Sequence, residues 1–364
     1  MTRLSKVMTK VSNFARRPHI PWMIQSRLDH TRSAYFYYAN LLANSSRENK
    51  RNARSITFCC GFHGKTGAVY AIANIANLLA KHHHVEFVSD PSSSYNEVLD
   101  RNVRIVSSPS FDADMFVCDN ECEHSLYERV KAAGRPLVMI CQGFRDSLHG
   151  LDPAFIDKSV SYADQVHLVS PIQQESFGLS DERCFVIPNL TRRIPKKGTT
   201  NCVGTVGELA APRKNADLAV RIALSSKAEC IHLWSIDVDR WRHPRVKVHS
   251  WESDKARIYD SFDVLLFMSV EETFGMVIIE AMSAGIPCVL SKIPVFEQFQ
   301  SCPGVELVDV NKEDEAAGAV DRLLSQRAQL KERMIDHWRY NYSAEAIEPI
   351  WLDHLDRIWT SAAT

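Results

Sequence analysis

The chain has 364 residues, more than one ordinary core needs and enough for two domains of common size. Hydrophobic residues at 45% and charged residues at 24% mark a globular chain and exclude a disordered or fibrous one, and no apolar run is long enough to span a bilayer. Net charge is −1, which conceals an asymmetry: residues 1–54 hold eleven Lys/Arg against only Asp29 and Glu48, so the remainder is acidic on balance. That local basicity points to an anionic membrane surface or another polyanion, and nucleic acid is not an expected partner.

In chain order, residues 3–17 place Leu4, Val7, Met8, Val11 and Phe14 at helical spacing, with Arg3, Lys6, Lys10, Arg16 and Arg17 between them. This basic amphipathic pattern suits a helix lying in a membrane interface through residues 1–20. The N-terminus has no apolar core of the kind a secretory signal needs, so the expected location is cytoplasmic, peripheral on the inner membrane face. Regular alternation starts at Ser55. SITFCC reads as a buried strand, GFHGKTG as a glycine-rich turn, AVYAIANIANLLAKH as an apolar helix and VEFVS as the next strand. VRIVS, MFVCD, PLVMIC, QVHLVS and CFVIP continue the strand series, with helical stretches between several of them. Strands alternating with helices predict a parallel sheet covered on both faces.

The stretch TRRIPKKGTTN (191–201) is polar, with Pro195 and Gly198, and reads as a linker. A second series follows: CVGTVGEL, a helix over 214–226, CIHLWS, VKVHSW, a helix over 253–260, VLLFMS, a helix from about Phe274, PCVL and VELVDV. The organisation read from this pattern is a basic extension (1–54), a first Rossmann-like domain (55–190), a linker (191–200), a second Rossmann-like domain (201–340) and a C-terminal helix (341–364) returning to the first. Ligands of such sheets sit outside the carboxyl ends of the strands, which here means the cleft between the halves. The ten cysteines, several of them in apolar runs (Cys59, Cys60, Cys118, Cys141, Cys288), read as buried reduced thiols, with no paired zinc spacing.

The segment VLLFMSVEETFGMVIIEAMSAGIPCVL (264–290) concentrates the chemistry. A buried strand runs into a loop with Glu271 and Glu272. A helix then opens near Phe274, presents the backbone N–H groups of Gly275, Met276 and Val277, and stops before Gly285. Those N–H groups and the helix dipole make a natural diphosphate site. Glu280 stands among Val277, Ile278, Ile279, Ala281 and Met282, where a carboxylate is costly unless strong donors meet it or it faces solvent. A carboxylate has two acceptor oxygens, enough for both hydroxyls of a ribose.

The spacing of Glu272 and Glu280 inside ETFGMVIIEAMSAGIPCV resembles the E-x7-E hallmark of glycosyltransferase family 4 (group 1), retaining enzymes of GT-B fold. VGTVGELAAPRKN, VIPNL, ADQVHLVSPIQQESF and HGKTGAVYAIANIANLLAKHHHVEFVS are similar to other parts of that family, so the likeness covers about residues 55–364. It implies a GT-B architecture of two doubly wound parallel-sheet α/β domains and transfer of a sugar, with retention, from a nucleotide-diphosphate sugar to a glycan or lipid-linked acceptor in cell-surface polysaccharide synthesis. No cofactor and no metal are implied. Carried over by residue, Glu280 would hold the ribose and Glu272 the sugar. Phe274, Gly275, Met276 and Val277 would offer backbone contacts to sugar and phosphate, beside Gly207 in the first loop of the second domain. Lys214 with Arg213 would neutralise the departing diphosphate, and Thr66 and Gly67 would let the first domain's backbone approach the donor phosphate.

Two positions depart from the family pattern. Glu208 follows Gly207 where the family usually has Arg, and Gln142 stands where it commonly has His, so a titrating role there is lost or moves to His149. Gln142 and His149 are the expected acceptor or sugar contacts. These departures keep two alternatives open: an inactive nucleotide-sugar-binding subunit of a polysaccharide assembly, and a GT-B nucleotide-sugar epimerase. Asp237-Val238-Asp239 and Asp112-Ala113-Asp114 imitate a metal-binding D-x-D, but that motif belongs to a single-domain fold which two doubly wound halves exclude.

Overall fold

A computed structural model describes residues 22–43, 53–64, 66–146, 152–235 and 241–362. The amphipathic stretch 3–17, His149 and Asp237–Asp239 lie outside the described residues. The chain divides into two compact units. One comprises residues 1–167, 180–185 and 352–364, the other residues 168–179 and 186–351.

The first described element of the first unit is a helix that the sequence reading did not anticipate, α1 (Trp22–Ala43). It is tied to the sheet by Asn40, whose Nδ2 donates to the Val103 carbonyl at 3.1 Å while its Oδ1 accepts from the Ile105 N–H at 3.1 Å. The sheet consists of β1 (Ser55–Cys59), β2 (His84–Val88), β3 (Arg104–Val106), β4 (Met115–Asp119), β5 (Leu137–Ile140), β6 (Gln165–Leu168) and β7 (Cys184–Val186), in spatial order 3-2-1-4-5-6-7. Each of the seven predicted strands is present. Helices α2 (Gly67–Leu79), α3 (His124–Ala132) and α4 (Pro153–Tyr162) lie between strands. β1, β4 and β5 are buried almost throughout, as a parallel strand covered on both faces must be. Asp114, from one of the D-x-D look-alikes, accepts from the Ser55 N–H at 2.7 Å and the Ser55 hydroxyl at 2.8 Å, a structural tie at the amino ends of β1 and β4.

After α5 (Pro171–Phe177), the second unit builds β8 (Val203–Val206), α6 (Ala216–Ser225), β9 (Ile231–Trp234), β10 (Val246–His249), α7 (Lys255–Asp260), β11 (Val264–Phe267), α8 (Met276–Ala284), β12 (Cys288–Ser291) and β13 (Val305–Val308). The strand order is 10-9-8-11-12-13 and every pairing is parallel. Alternation along β11 shows how the two faces are filled. Val264 and Leu266 join the core under α6, while Leu265 and Phe267 join the core under α8. The long helix α9 (Glu313–Asn341), whose first turn carries Glu313, Asp314 and Glu315 as its dipole favours, contributes to both cores. α10 (Ala344–Ala362) starts in the second unit and ends in the first.

Residues 191–201 are held against the second unit. The N–H groups of Lys197 and Gly198 each donate to Asp260 Oδ1 at 2.8 Å, and those of Thr200 and Asn201 donate to the buried Asp263 at 2.8 and 2.9 Å. Lys196 pairs with Asp263 at 3.0 Å. The expectation that all ten cysteines are reduced thiols is corrected at one pair: Cys202 and Cys230 form a disulfide, and the other eight are free and buried. Among the described residues, no helix is long and apolar enough to cross a membrane.

Candidate active site

In each sheet the strand order reverses between the first strand of the series and its neighbour, β1/β4 in one unit and β8/β11 in the other. In open α/β sheets the crevice at the carboxyl ends of such a pair is where ligands bind. In the second unit that place is built by the loop after β8, which holds Gly207, Glu208, Arg213 and Lys214, and the loop after β11, which holds Glu271, Glu272 and Gly275.

The two loops are stitched together. The Arg213 carbonyl accepts from the Val270 N–H at 2.8 Å and from the Ser269 hydroxyl at 2.9 Å. Ser269 Oγ also lies 2.9 Å from Glu272 Oε1. The ammonium of Lys214 pairs with the same Oε1, and both side chains are largely shielded from solvent. Lys214 also sits 5.0 Å above the Phe267 ring, a second constraint on where its charge can lie. Arg213 bridges Glu272 at 3.7 Å and Glu208 at 3.6 Å. Two cations and the Glu272 carboxylate thus share one edge of the site, with Glu208 holding Arg213 from outside.

Beside them α8 opens at Gly275. Its φ of 100° is a left-handed conformation that side chains rarely adopt, and a Cβ there would come within 2.7 Å of Ile278. Glycine therefore lets the backbone turn directly into the helix, whose first turn offers the N–H groups of Met276 and Val277, while that of Ile278 donates to the Gly275 carbonyl at 2.9 Å. The Phe274 side chain is buried against Phe299 and Tyr342, so only its backbone can serve a ligand. Met276 and Val277 likewise pack their side chains on the core.

Glu280, one turn further into α8, is 3% exposed. The solvent-facing alternative is thus excluded, and strong donors do meet the carboxylate. Tyr259 donates its hydroxyl to Oε2 at 2.6 Å, and Lys255 approaches Oε1 at 3.2 Å. Burial, and then the adjacent carboxylate, push the Tyr259 phenol well above its ordinary range, so it stays protonated and acts as donor. Lys255 in turn lies 5.3 Å from the Trp251 ring. Sequence reasoning missed Lys255 and Tyr259. Their spacing of four in the helix after β10, which sets both on one face, was the available signal.

In the first unit, Thr66 is the residue from which α2 starts, with extended backbone and a buried hydroxyl, and Gly67 is the first helical residue. Gln142 stands half-buried just beyond β5, at the same carboxyl end of that sheet. A feature the sequence did not disclose ties this end together. Asp119, buried at the end of β4, accepts the N–H groups of Gly61 at 2.9 Å and Phe62 at 3.3 Å from the turn after β1. A Cβ on Gly61 would lie 2.3 Å from the Glu121 carbonyl oxygen, so the two loops pass too closely for any other residue. Burial, with Asp119 nearby, raises the Glu121 carboxyl to about 7.

Residues 200–326 match the family model for glycosyl transferases group 1. The match contains Gly207, Arg213, Lys214, Glu272, Gly275 and Glu280, the residues assembled above. The second unit therefore carries a glycosyl transferases group 1 domain. Solved structures similar to the chain as a whole include Anabaena HepE in complex with UDP-glucose, at 17% identity and a TM-score of 0.69, covering 84% of this chain and 100% of that one. Sucrose-phosphate synthase from Thermosynechococcus elongatus has 15% identity and a TM-score of 0.68, covering 85% and 100%. The lipopolysaccharide outer core galactosyltransferase WaaB has 18% identity and a TM-score of 0.58, covering 79% and 95%. Likeness at this level of identity establishes the fold, which is GT-B. No curated protein matches the sequence. In the group 1 domain, Glu208 is the residue that changes the local balance most, because it draws on Arg213 beside the lysine.

Proposed function

We propose that the chain is a retaining glycosyltransferase that moves a sugar from a nucleotide-diphosphate donor to a glycan or lipid-linked acceptor, without a metal ion. The observation that carries this reading is the pairing of Lys214 and Arg213 with Glu272 at the carboxyl ends of β8 and β11, next to the glycine-led start of the helix that buries Glu280. A diphosphate placed at the start of α8 meets the backbone N–H groups of Met276 and Val277 and the positive end of the helix. Lys214, with Arg213, is then the cation that stabilises charge growing on the departing diphosphate as the anomeric bond breaks. Glu272 turns its carboxylate to the sugar hydroxyls, and Glu280, whose carboxylate also accepts from Tyr259 and Lys255, accepts the ribose hydroxyls. Thr66 and Gly67 are assigned to the donor phosphate and Gln142 and His149 to the acceptor side, on the family resemblance and their position after β1 and β5.

A thermal-shift series with UDP-, GDP-, dTDP- and ADP-sugars tests donor binding, because a ligand that binds only the folded state raises its melting temperature. Transfer or slow hydrolysis of the stabilising donor then establishes catalysis. Tight binding with neither activity would favour the second reading, a nucleotide-sugar-binding subunit, which the Glu208–Arg213 pair supports. Conversion of the donor alone into an isomer would instead identify an epimerase.

A further inference from the structure

The amino end of the second sheet holds a group of ligand-type side chains that the donor site does not use. Val203 and Ile231 are register partners in β8 and β9, so the residues before them, Cys202 and Cys230, lie side by side. His232 is two residues beyond Cys230 on the same face of β9. Both sulfurs and a ring nitrogen of His232 lie within 4.8 Å of one another, the one such grouping among the described residues. His232 does not stand alone. Its Nδ1 is 2.8 Å from Nε2 of His249, the two rings are nearly coplanar at 2°, and Trp234 stacks on His249 with centroids 4.1 Å apart. Trp234 is fixed in its turn by donating Nε1–H to Ser261 at 3.0 Å.

A plain disulfide has no use for this imidazole pair, whereas a metal site uses both rings. A histidine that binds a metal through one nitrogen needs a partner on the other to fix its tautomer and orientation. With Nδ1 engaged by His249, Nε2 of His232 is the nitrogen left for an ion. Two thiolates and one imidazole are the donors of a thiophilic divalent cation such as zinc, with a fourth position for water.

We propose that, once reduced, Cys202, Cys230 and His232 bind one thiophilic divalent cation, positioned by His249, and that the disulfide and the metal-bound dithiolate are alternative states of one site. The balance is simple. A phosphine reductant breaks the S–S bond, takes up the oxygen of one water to become phosphine oxide, and leaves two thiols; binding the cation then releases two protons. The site lies at the amino end of β8, about 16 Å along the strands from the Gly207 loop at a rise of about 3.3 Å per residue. It therefore clamps β8 to β9 rather than taking part in sugar transfer.

The test is to reduce the full chain with a phosphine under nitrogen, remove the reductant, and titrate with Co2+ alone and then Zn2+. One equivalent of Co2+ should bind with a thiolate-to-cobalt charge-transfer band and tetrahedral d–d absorption, and Zn2+ should displace it. Protein left oxidised should show neither. Cys202→Ser should lose the charge-transfer band. His249→Ala should keep the band with affinity lowered about ten- to a hundredfold, the usual effect of removing an orienting partner. His232→Ala retains both cysteines, and with them the disulfide of the oxidised protein, so it serves if Cys202→Ser fails to fold; its d–d spectrum should change. Reduced wild-type protein that binds no Co2+, or Cys202→Ser and His232→Ala that bind it as wild type does, would overturn the proposal.

Discussion

Glu280→Ala tests the ribose assignment, and the structure sets its expected size. The carboxylate is met by the Tyr259 hydroxyl at 2.6 Å and the Lys255 ammonium at 3.2 Å, in a position only 3% exposed. Removing it leaves the buried Tyr259 hydroxyl only its longer bond to the Val277 carbonyl at 3.3 Å, and the lost hydrogen bond to a charged group costs about 1.5–3 kcal/mol. Lys255 is less confined, with 19% of its side chain accessible, and can turn toward water at little further cost. The variant should therefore lose about 2 kcal/mol of stability and remain folded. If Glu280 also accepts ribose hydroxyls, loss of charged hydrogen bonds worth about 1.5–3 kcal/mol weakens nucleoside diphosphate binding about ten- to a hundredfold. Calorimetric titration at a temperature where both proteins are folded, beside urea denaturation, separates the two effects. Tyr259→Phe is the control, because it removes a donor to Glu280 while leaving the carboxylate for the ligand. If Glu280→Ala loses stability as expected yet binds the nucleoside diphosphate like wild type, Glu280 is only the structural partner of Lys255 and Tyr259, and its assignment to the ribose is wrong.

Glu272→Ala should leave nucleoside diphosphate binding nearly unchanged and reduce sugar transfer at least about a hundredfold, since the sugar is absent from the free nucleotide; calorimetry and a transfer assay measure the two, and a large loss of nucleotide affinity would contradict the assignment. Transfer should survive saturating EDTA, whereas loss on chelation with recovery on adding manganese or magnesium would overturn the metal-independent reading. Glu121 has its carboxyl raised to about 7 in the folded state against an ordinary 4.5, so the folded chain holds a proton that the unfolded chain releases, and stability falls as pH rises through this window. A shift of that size corresponds to at most about 3 kcal/mol, and the partial exposure of Glu121 reduces the expectation to about 1 kcal/mol. Urea denaturation should thus show Glu121→Gln gaining stability relative to wild type between pH 5 and pH 8, and a constant difference would refute the cause given. Deleting residues 1–21, which spares the helix tied to β3 through Asn40, should leave donor binding intact and weaken flotation with anionic vesicles at low salt; equal flotation would remove the membrane role.

All thirteen strands among the described residues were legible because buried parallel strands write themselves as short apolar runs, from SITFC to VELV. The helices were less so. α1 carries its apolar and polar residues without a clear stripe, and its place depends on Asn40 and Ser33 reaching the far loops of the first unit. α9 shares its buried residues between two cores, which blurs a single apolar face. At the candidate site, Gly275 stood out at the head of a helix that follows a buried strand, whereas Glu272 and Lys214 were singled out by the family resemblance. Tyr259 and Lys255 did not stand out, since their partner lies more than twenty residues away and only the sheet brings them to it. The Cys202–Cys230 bond was hidden for the same reason: nothing in a spacing of 28 residues marks two strand-entry positions as neighbours until the parallel register is known.

The charge arrangement around Lys214 bears on how the proposed diphosphate site could tolerate Glu208 where the resembled family usually has arginine. Glu208 replaces a cation with an anion, which by itself would repel the ligand. It is the more exposed partner, with 59% of its side chain accessible, against 11% for both Lys214 and Glu272. A charge in that position is screened by water and salt, while the shielded pair is not. Arg213 spans both, so Glu208 holds the guanidinium at the mouth without competing for the lysine. On the proposed function, a diphosphate at the start of α8 would have Lys214 exchange Glu272 for phosphate oxygen, one charged hydrogen bond for another of the same kind. That exchange would be nearly neutral for the lysine, and it would free the Glu272 carboxylate to accept from a sugar hydroxyl. On that reading the Lys214–Glu272 pair is a resting state, in which each partner is held until the sugar donor takes its place.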